Sequence, residues 1–482
     1  PRTSWSVAKR SIQLSYRRSL IKHKCLYFLK YEHVINKYHK SIKKMSFFSN
    51  KKLFKGNLIG LLLAILPVSF IAGNLAININ ILIIIISSVI FFKTDILKIK
   101  YHLLDKILIL LFLFILFTGV YNDLYFILNN LEWKPHFSTI YKSIAFCRFL
   151  LLYFILRFLI EKNIIKLKIF FISCFIFTVF VCFDIFYQFF NKEDLFGFKI
   201  IGRKISGPFG EELIAGGYIQ RFSIFSLFLM PLFLLKEKNI NFYIAQIILF
   251  FIFIIGIILS GNRMPLLIFI FVIFLMLLFQ KSLRKFLLPF LTIITVVFVL
   301  FYKFNFEIKN NFTSFYKQSS KIFIYTINRD LNNKDAPQYL REFSTFYDTW
   351  LMNKYIGGGI KNFRYYCHER PNIDRSLKFV CNMHPHNYYL EILTEIGFIG
   401  LLIISTVFII ILYLSLFKKY FYRSGMKNNL IVAPFMFAFF AEIFPIKSTG
   451  SFFTTGNATY LFLIMSILVA IIRKENIIEK EI

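Results

Sequence analysis

The sequence predicts an all-α polytopic membrane protein with about 12 transmembrane helices and a large hydrophilic loop between helices 9 and 10. Three observations predict it. Apolar residues make up 57% of the 482-residue chain and charged residues only 17%, below the roughly 25% with which a soluble domain wets its surface. The apolar residues dominate 81–92, 107–118 and 246–259, with no charged residue in any of the three, so those helices have no charged face. The basic residues fall between the runs, on alternate turns. With a mean hydropathy of +0.64, a water-soluble fold is excluded.

Taken in order, residues 1–44 are basic and lack the apolar core of a signal peptide, so they read as a cytoplasmic or non-native extension, with Met45 as the natural start. Spans follow at 57–72, 75–92, 107–121, 141–160, 167–190, 213–235, 242–260, 265–279 and 286–302. The first, third and eighth are the shortest. Residues 303–386 form the loop, 387–472 hold spans at 388–417, 430–446 and 457–472, and 473–482 are a tail.

Loop charge tests this order, because one missed span would invert every later turn. The even-numbered turns and the span ends beside them are basic: Lys93, Lys98, Lys100 and Lys106; Arg157, Lys162, Lys166 and Lys168; Lys236 and Lys238; Lys281, Arg284 and Lys285; Lys418, Lys419, Arg423 and Lys427. The tail adds Arg473, Lys474 and Lys480. Both termini are therefore expected in the cytoplasm and the long loop outside. The formal charge of +33 fits the same account: 15 of the 58 Lys and Arg lie in residues 1–55 and most others in short turns facing lipid headgroups. With no nucleic-acid-binding motif beside them, a nucleic-acid partner is excluded.

Of six cysteines, Cys147, Cys174 and Cys182 lie in spans and read as packing residues. Cys367 and Cys381 share the outer loop, where disulfides persist, and are a candidate bridge. A zinc site is the competing reading of that region, since His368, His384 and His386 lie close by in sequence.

Three outward features carry candidate chemistry. The turn Ser260-Gly261-Asn262-Arg263 places a guanidinium at the membrane edge, costly unless paired, snorkelling or functional. Arg341 precedes Tyr347, Trp350 and Gly357-Gly358-Gly359; its planar fork suits a diphosphate, and glycine lets backbone N–H groups approach an anion. The bland alternative is a surface pair with Glu342 or Asp348. Third, His384-Pro385-His386-Asn387 enters the tenth span, where Asn387 can cap the helix and set His386 beside its positive end. Gly397 and Gly400 lie three apart on a face where another helix can approach. Second in rank stand Arg203 and Arg221 as further phosphate contacts, and Glu211 and Glu212 as groups that bind sugar or orient a base, or merely as a solvated helix start.

The last element, with His386, Asn387, Leu390, Glu395, Gly397, Gly400 and Leu401 in register, resembles the His-Asn-x-x-Leu-x-x-x-x-Glu-x-Gly-x-x-Gly-Leu element of the O-antigen ligase family. Arg263 fits that family's Ser-Gly-x-Arg turn and Arg341 its loop arginine. The resemblance spans roughly 57–472 and leaves 1–44 without a counterpart. It implies a bacterial inner-membrane enzyme, active on the periplasmic face, moving a glycan from undecaprenyl diphosphate to a sugar hydroxyl of lipid A–core or a similar acceptor. No metal, cofactor or nucleotide sugar is implied. His386 would act as general base, with Arg263 and Arg341 on the diphosphate. Inversion at the anomeric carbon follows from a single displacement. An O-antigen polymerase shares every one of these features. A transporter is a different class and would rest on intramembrane acids such as Asp184 and Glu442.

Overall fold

The computed structural model describes residues 54–478 apart from 130, 132–134, 201, 203, 235–239, 280–286, 305, 329–334, 371–380, 382–384, 422–430 and 448–449. The chain divides into Pro1–Leu58 and Ile59–Ile482. In the first unit residues 54–58 are helical; the helix bundle lies in the second.

Apolar sequence in a helix satisfies every backbone group internally, which is what lipid requires. The helices are α1 (Phe54–Ala72), α2 (Asn74–Phe92), α3 (Leu103–Leu128), α4 (Ser138–Phe146), α5 (Arg148–Glu161), α6 (Lys168–Asn191), α7 (Ala215–Leu229), α8 (Ile240–Leu259), α9 (Arg263–Phe279) and α10 (Leu287–Phe304). The loop region adds α11 (Phe306–Ile327), α12 (Gln338–Met352) and α13 (Phe363–Tyr366), and the bundle closes with α14 (Tyr388–Leu412), α15 (Val432–Glu442) and α16 (Thr455–Ile478). Among the described residues 9 helices are long and apolar enough to cross a membrane, with α4 and α5 counted as one. α9, α10 and α15 are apolar but shorter. The third span, expected to be short, is the 26-residue α3, extended at both ends by residues that hydropathy alone assigns to turns.

α16 is the central helix: 83% of its apolar window is buried, against 33% for the more exposed α8. It packs on α2, α5 and α15. Phe462 of α16 stacks on Phe149 and meets Phe112 and Phe146 edge-on, filling the centre with rings in the offset and T-shaped geometries their quadrupoles favour.

The expected span at 430–446 takes a different form. α15 stops at Glu442 after 11 residues, about 16 Å at 1.5 Å per residue, roughly half a hydrocarbon core. Residues 443–447 and 450–454 then run as irregular backbone with Lys447, Ser451, Phe452 and Phe453 buried. Such backbone survives at membrane depth only when protein supplies its hydrogen bonds. The first two turns of α14 supply them: Tyr389 Oη donates to the Ile443 carbonyl at 2.5 Å, and the Phe452 N–H donates to Glu391 Oε2 at 2.5 Å. Ser451 donates to the other oxygen of Glu391.

Gly397 receives a turn rather than another helix. At Gly397, φ +67° and ψ −174° break α14, and the turn around Gly357 is inserted into the gap. The N–H groups of Phe398 and Ile399 donate to the carbonyls of Lys354 and Tyr355, while those of Gly358 and Gly359 donate to Thr394 and Glu395. The glycine run therefore directs two of its amides at α14, which corrects the expectation that they face an anion. A Cβ on Gly397 would lie 2.2 Å from the Tyr355 oxygen. Gly397→Ala is expected to destabilise the fold by about 1–3 kcal/mol from backbone strain alone, read as a lower melting temperature in detergent. An unchanged midpoint would contradict the inserted turn.

Candidate functional site

The entry to α14 is built from the N-cap outward. Asn387 Oδ1 accepts from the N–H groups of Tyr389 (3.0 Å) and Leu390 (3.2 Å), satisfying two of the free donors that begin a helix. Its Nδ2 donates to the Pro445 carbonyl at 2.8 Å, so one side chain ties α14 to the buried loop. His386, immediately before, has φ +54°, a left-handed conformation uncommon outside glycine. Its ring meets Tyr339 of α12 edge-on at 6.4 Å. The turn of α12 that carries Arg341 is thereby set beside His386.

Arg341 is half-buried, and its Nε finds no hydrogen-bond partner among the described residues. Of the two surface partners expected for it, Glu342 accepts from Gln338 at 2.8 Å. Arg263 begins α9 after Gly261 (φ +70°) and points toward α11, donating to Ser314 with its guanidinium over the Phe315 ring at 5.5 Å. Beneath it is an apolar cavity lined by Ile257, Leu266 and Phe312. The turn carrying Arg263 packs against the start of α7, where a Cβ on Gly216 would meet Ser260 Oγ at 2.5 Å.

One and a half turns along α7, Arg221 enters a buried ionic cluster. Its Nε and one terminal nitrogen donate to the two oxygens of Glu442 at 3.2 and 2.8 Å, and that same nitrogen donates to Asn457 at 2.6 Å. Tyr388 Oη donates to Glu442 Oε1 at 2.5 Å, and Lys447 Nζ lies 2.6 Å from Oε2 and over the Tyr388 ring. Burial pushes the Lys447 ammonium down to about 8, against the opposing pull of Glu442. The cluster joins α7, α14, α15 and the loop after it.

His386, Arg341 and Arg263 are thus linked stepwise. Tyr339 connects the first two; Asn387, Tyr388, the ionic cluster and α7 lead on to the Arg263 turn. Glu211 and Glu212 are exposed and precede α7 rather than beginning it. Arg203 and His384 lie outside the described residues. Cys367 and Cys381 are joined by a disulfide with Cα atoms 5.8 Å apart, which takes both thiols of the zinc alternative. The bridge packs with Phe346 and Phe363, stacked with centroids 3.5 Å apart, into a small core on the loop.

Its removal is expected to cost about 3 kcal/mol, the value for closing a loop of some 15 residues. The double variant Cys367→Ser/Cys381→Ser should melt lower than the parent and be insensitive to reductant. Equal melting of parent and variant would contradict this.

The acids expected of a transporter have structural partners. Asp184 accepts from the Leu195 N–H at 2.9 Å and holds the loop after α6, and Glu442 is neutralised by its two cations. Sequence reasoning misses Lys447, Tyr388 and Glu442 as site residues. The signal that could find them is a Lys five residues beyond an intramembrane Glu, with an Arg in another span.

Residues 248–405 match the family model described as O-antigen ligase, so this stretch of the chain is similar to that family. The matched stretch contains Arg263, Arg341 and His386. No curated protein matches the chain.

Proposed function

We propose that this integral membrane protein transfers a glycan from undecaprenyl diphosphate to a sugar hydroxyl of lipid A–core or a similar acceptor, on the periplasmic face of the bacterial inner membrane. The observation that carries the reading is His386: a left-handed histidine held between a helix cap and Tyr339, inside a stretch that matches the O-antigen ligase family. Strained backbone of this kind persists where surrounding structure fixes it, and it clusters at active sites.

In the proposed step the His386 ring takes the acceptor hydroxyl proton while that oxygen attacks the anomeric carbon. The bond from that carbon to the diphosphate breaks with inversion, and undecaprenyl diphosphate leaves with the bonding pair. Arg263 and Arg341 stabilise the charge that develops on it, work that asks for fixed cations rather than a metal or cofactor. The test is reconstitution in proteoliposomes with an undecaprenyl-diphosphate-linked oligosaccharide and lipid A–core. Glycan joined to lipid A–core supports the ligase; longer lipid-linked chains without ligation would make the protein a polymerase; absence of both products would overturn the reading.

A further inference from the structure

The cluster at Glu442 holds two cations and one carboxylate, a formal surplus of +1 in a place almost closed to water. All the directions of that carboxylate are occupied: Oε1 accepts from Arg221 and Tyr388, Oε2 from Arg221 and Lys447. An ammonium has three donors, and among the described residues Lys447 directs one at Glu442 and sits over the Tyr388 face. An uncompensated buried charge is costly, and it is relieved either by losing a proton or by gaining a counter-ion. Arg221 keeps its charge at any working pH. Lys447 does not.

We propose that Arg221 and Lys447 form an anion site for a phosphate or diphosphate group, with Glu442 as the fixed carboxylate that sets their spacing and Lys447 as the cation whose charge depends on the anion. The side chain of Arg221 retains 15% exposure whereas Glu442 retains 1%, so the guanidinium is the face an entering anion meets. The groups facing Lys447 are Glu442 from α15, Arg221 from α7 and Tyr388 from α14, with Tyr460 of α16 behind Arg221 at 5.1 Å. Burial lets the ammonium release its proton near pH 8. A bound anion opposes that release, so binding above this pH takes up a proton from solvent. Only the natural source of the anion, a lipid-linked diphosphate, rests on the proposed transferase reading.

The test is calorimetry on the full chain in phosphatidylcholine nanodiscs, using inorganic diphosphate and undecaprenyl diphosphate as separate probes. Wild-type affinity for inorganic diphosphate should fall about tenfold or more from pH 7 to 9.5, the scale of one charge-assisted hydrogen bond. The probe itself gains negative charge over that range, so simple attraction would move affinity the other way. Lys447→Arg should hold its affinity at pH 9.5, Lys447→Met should bind weakly at both pH values, and Glu442→Gln should bind more tightly by removing the competing carboxylate.

Binding of both probes, or of the lipid-linked one alone, supports the site and identifies the source of its phosphate. An affinity that does not fall with pH, or a folded Lys447→Met that binds like wild type, overturns it. Should Lys447→Met fail to fold, the wild-type pH profile decides. Loss of this site would leave transfer through Arg263 and Arg341 standing, and a chain inactive in transfer would still bind diphosphate here.

Discussion

His386→Gly is expected to abolish glycan transfer while leaving the protein as stable as its parent or slightly more so. The two signs come from different physics. At φ +54° a non-glycine side chain sits in the left-handed region, where the Cβ costs roughly 1–2 kcal/mol. Glycine removes that cost. The imidazole goes with it, and a general base contributes about 10²–10⁴-fold to a proton transfer. A merely structural His386 would give the opposite pairing, with activity tracking the melting temperature. His386→Ala should lose the same activity without the relief of strain. Arg263→Ala and Arg341→Ala should also lose transfer with insertion and abundance unchanged, and Arg341→Lys should rescue poorly, because a point charge cannot reproduce a planar fork. Full transfer by His386→Gly, assayed in proteoliposomes against an equal amount of folded protein, would remove His386 from the mechanism.

The parts legible in sequence are those set by local chemistry. Apolar runs place the helices, since each backbone group in lipid must be satisfied within its own segment. Asn387 before an apolar run announces a capped helix, and the cap is present with both bonds made. What sequence does not carry is pairing over long separations. Arg221 and Glu442 are 221 residues apart, and neither one's surroundings name the other. The same holds for the turn at Gly357 inserted at Gly397: both glycine signals are visible, and both residues have positive φ, but their meeting depends on tertiary packing. α15 misleads for a related reason. The segment 430–446 is apolar enough for a span, and bonds offered by distant residues, among them Tyr389, Glu391, Asn387 and Asn457, stabilise the buried loop after Glu442 in place of helix.

The far ends of α5 and α16 hold a second ionic cluster, and Arg157→Met there is expected to destabilise the fold by about 3–5 kcal/mol, the usual consequence of removing one partner from a buried pair. The Arg157 side chain is fully buried, with contacts to Asp105 at 2.6 Å, to Glu161 at 2.6 Å and to the Lys100 carbonyl at 2.5 Å. Arg473 reaches Asp105 at 3.0 Å and Tyr153 donates to it at 2.9 Å. Two arginines against two carboxylates leave the cluster neutral; without Arg157 it carries −1, centred on a buried aspartate. Arg157→Met/Asp105→Asn restores neutrality and should recover a large part of the loss, so the two changes are non-additive in the manner of coupled neighbours. Melting of the purified variants in detergent measures this, alongside diphosphate binding per folded molecule, which should be unchanged because these residues lie on the opposite ends of α5 and α16 from the Arg221 cluster. Equal destabilisation in the single and double variants would mean that packing of the long Arg157 side chain, rather than charge balance, holds this end of the bundle together.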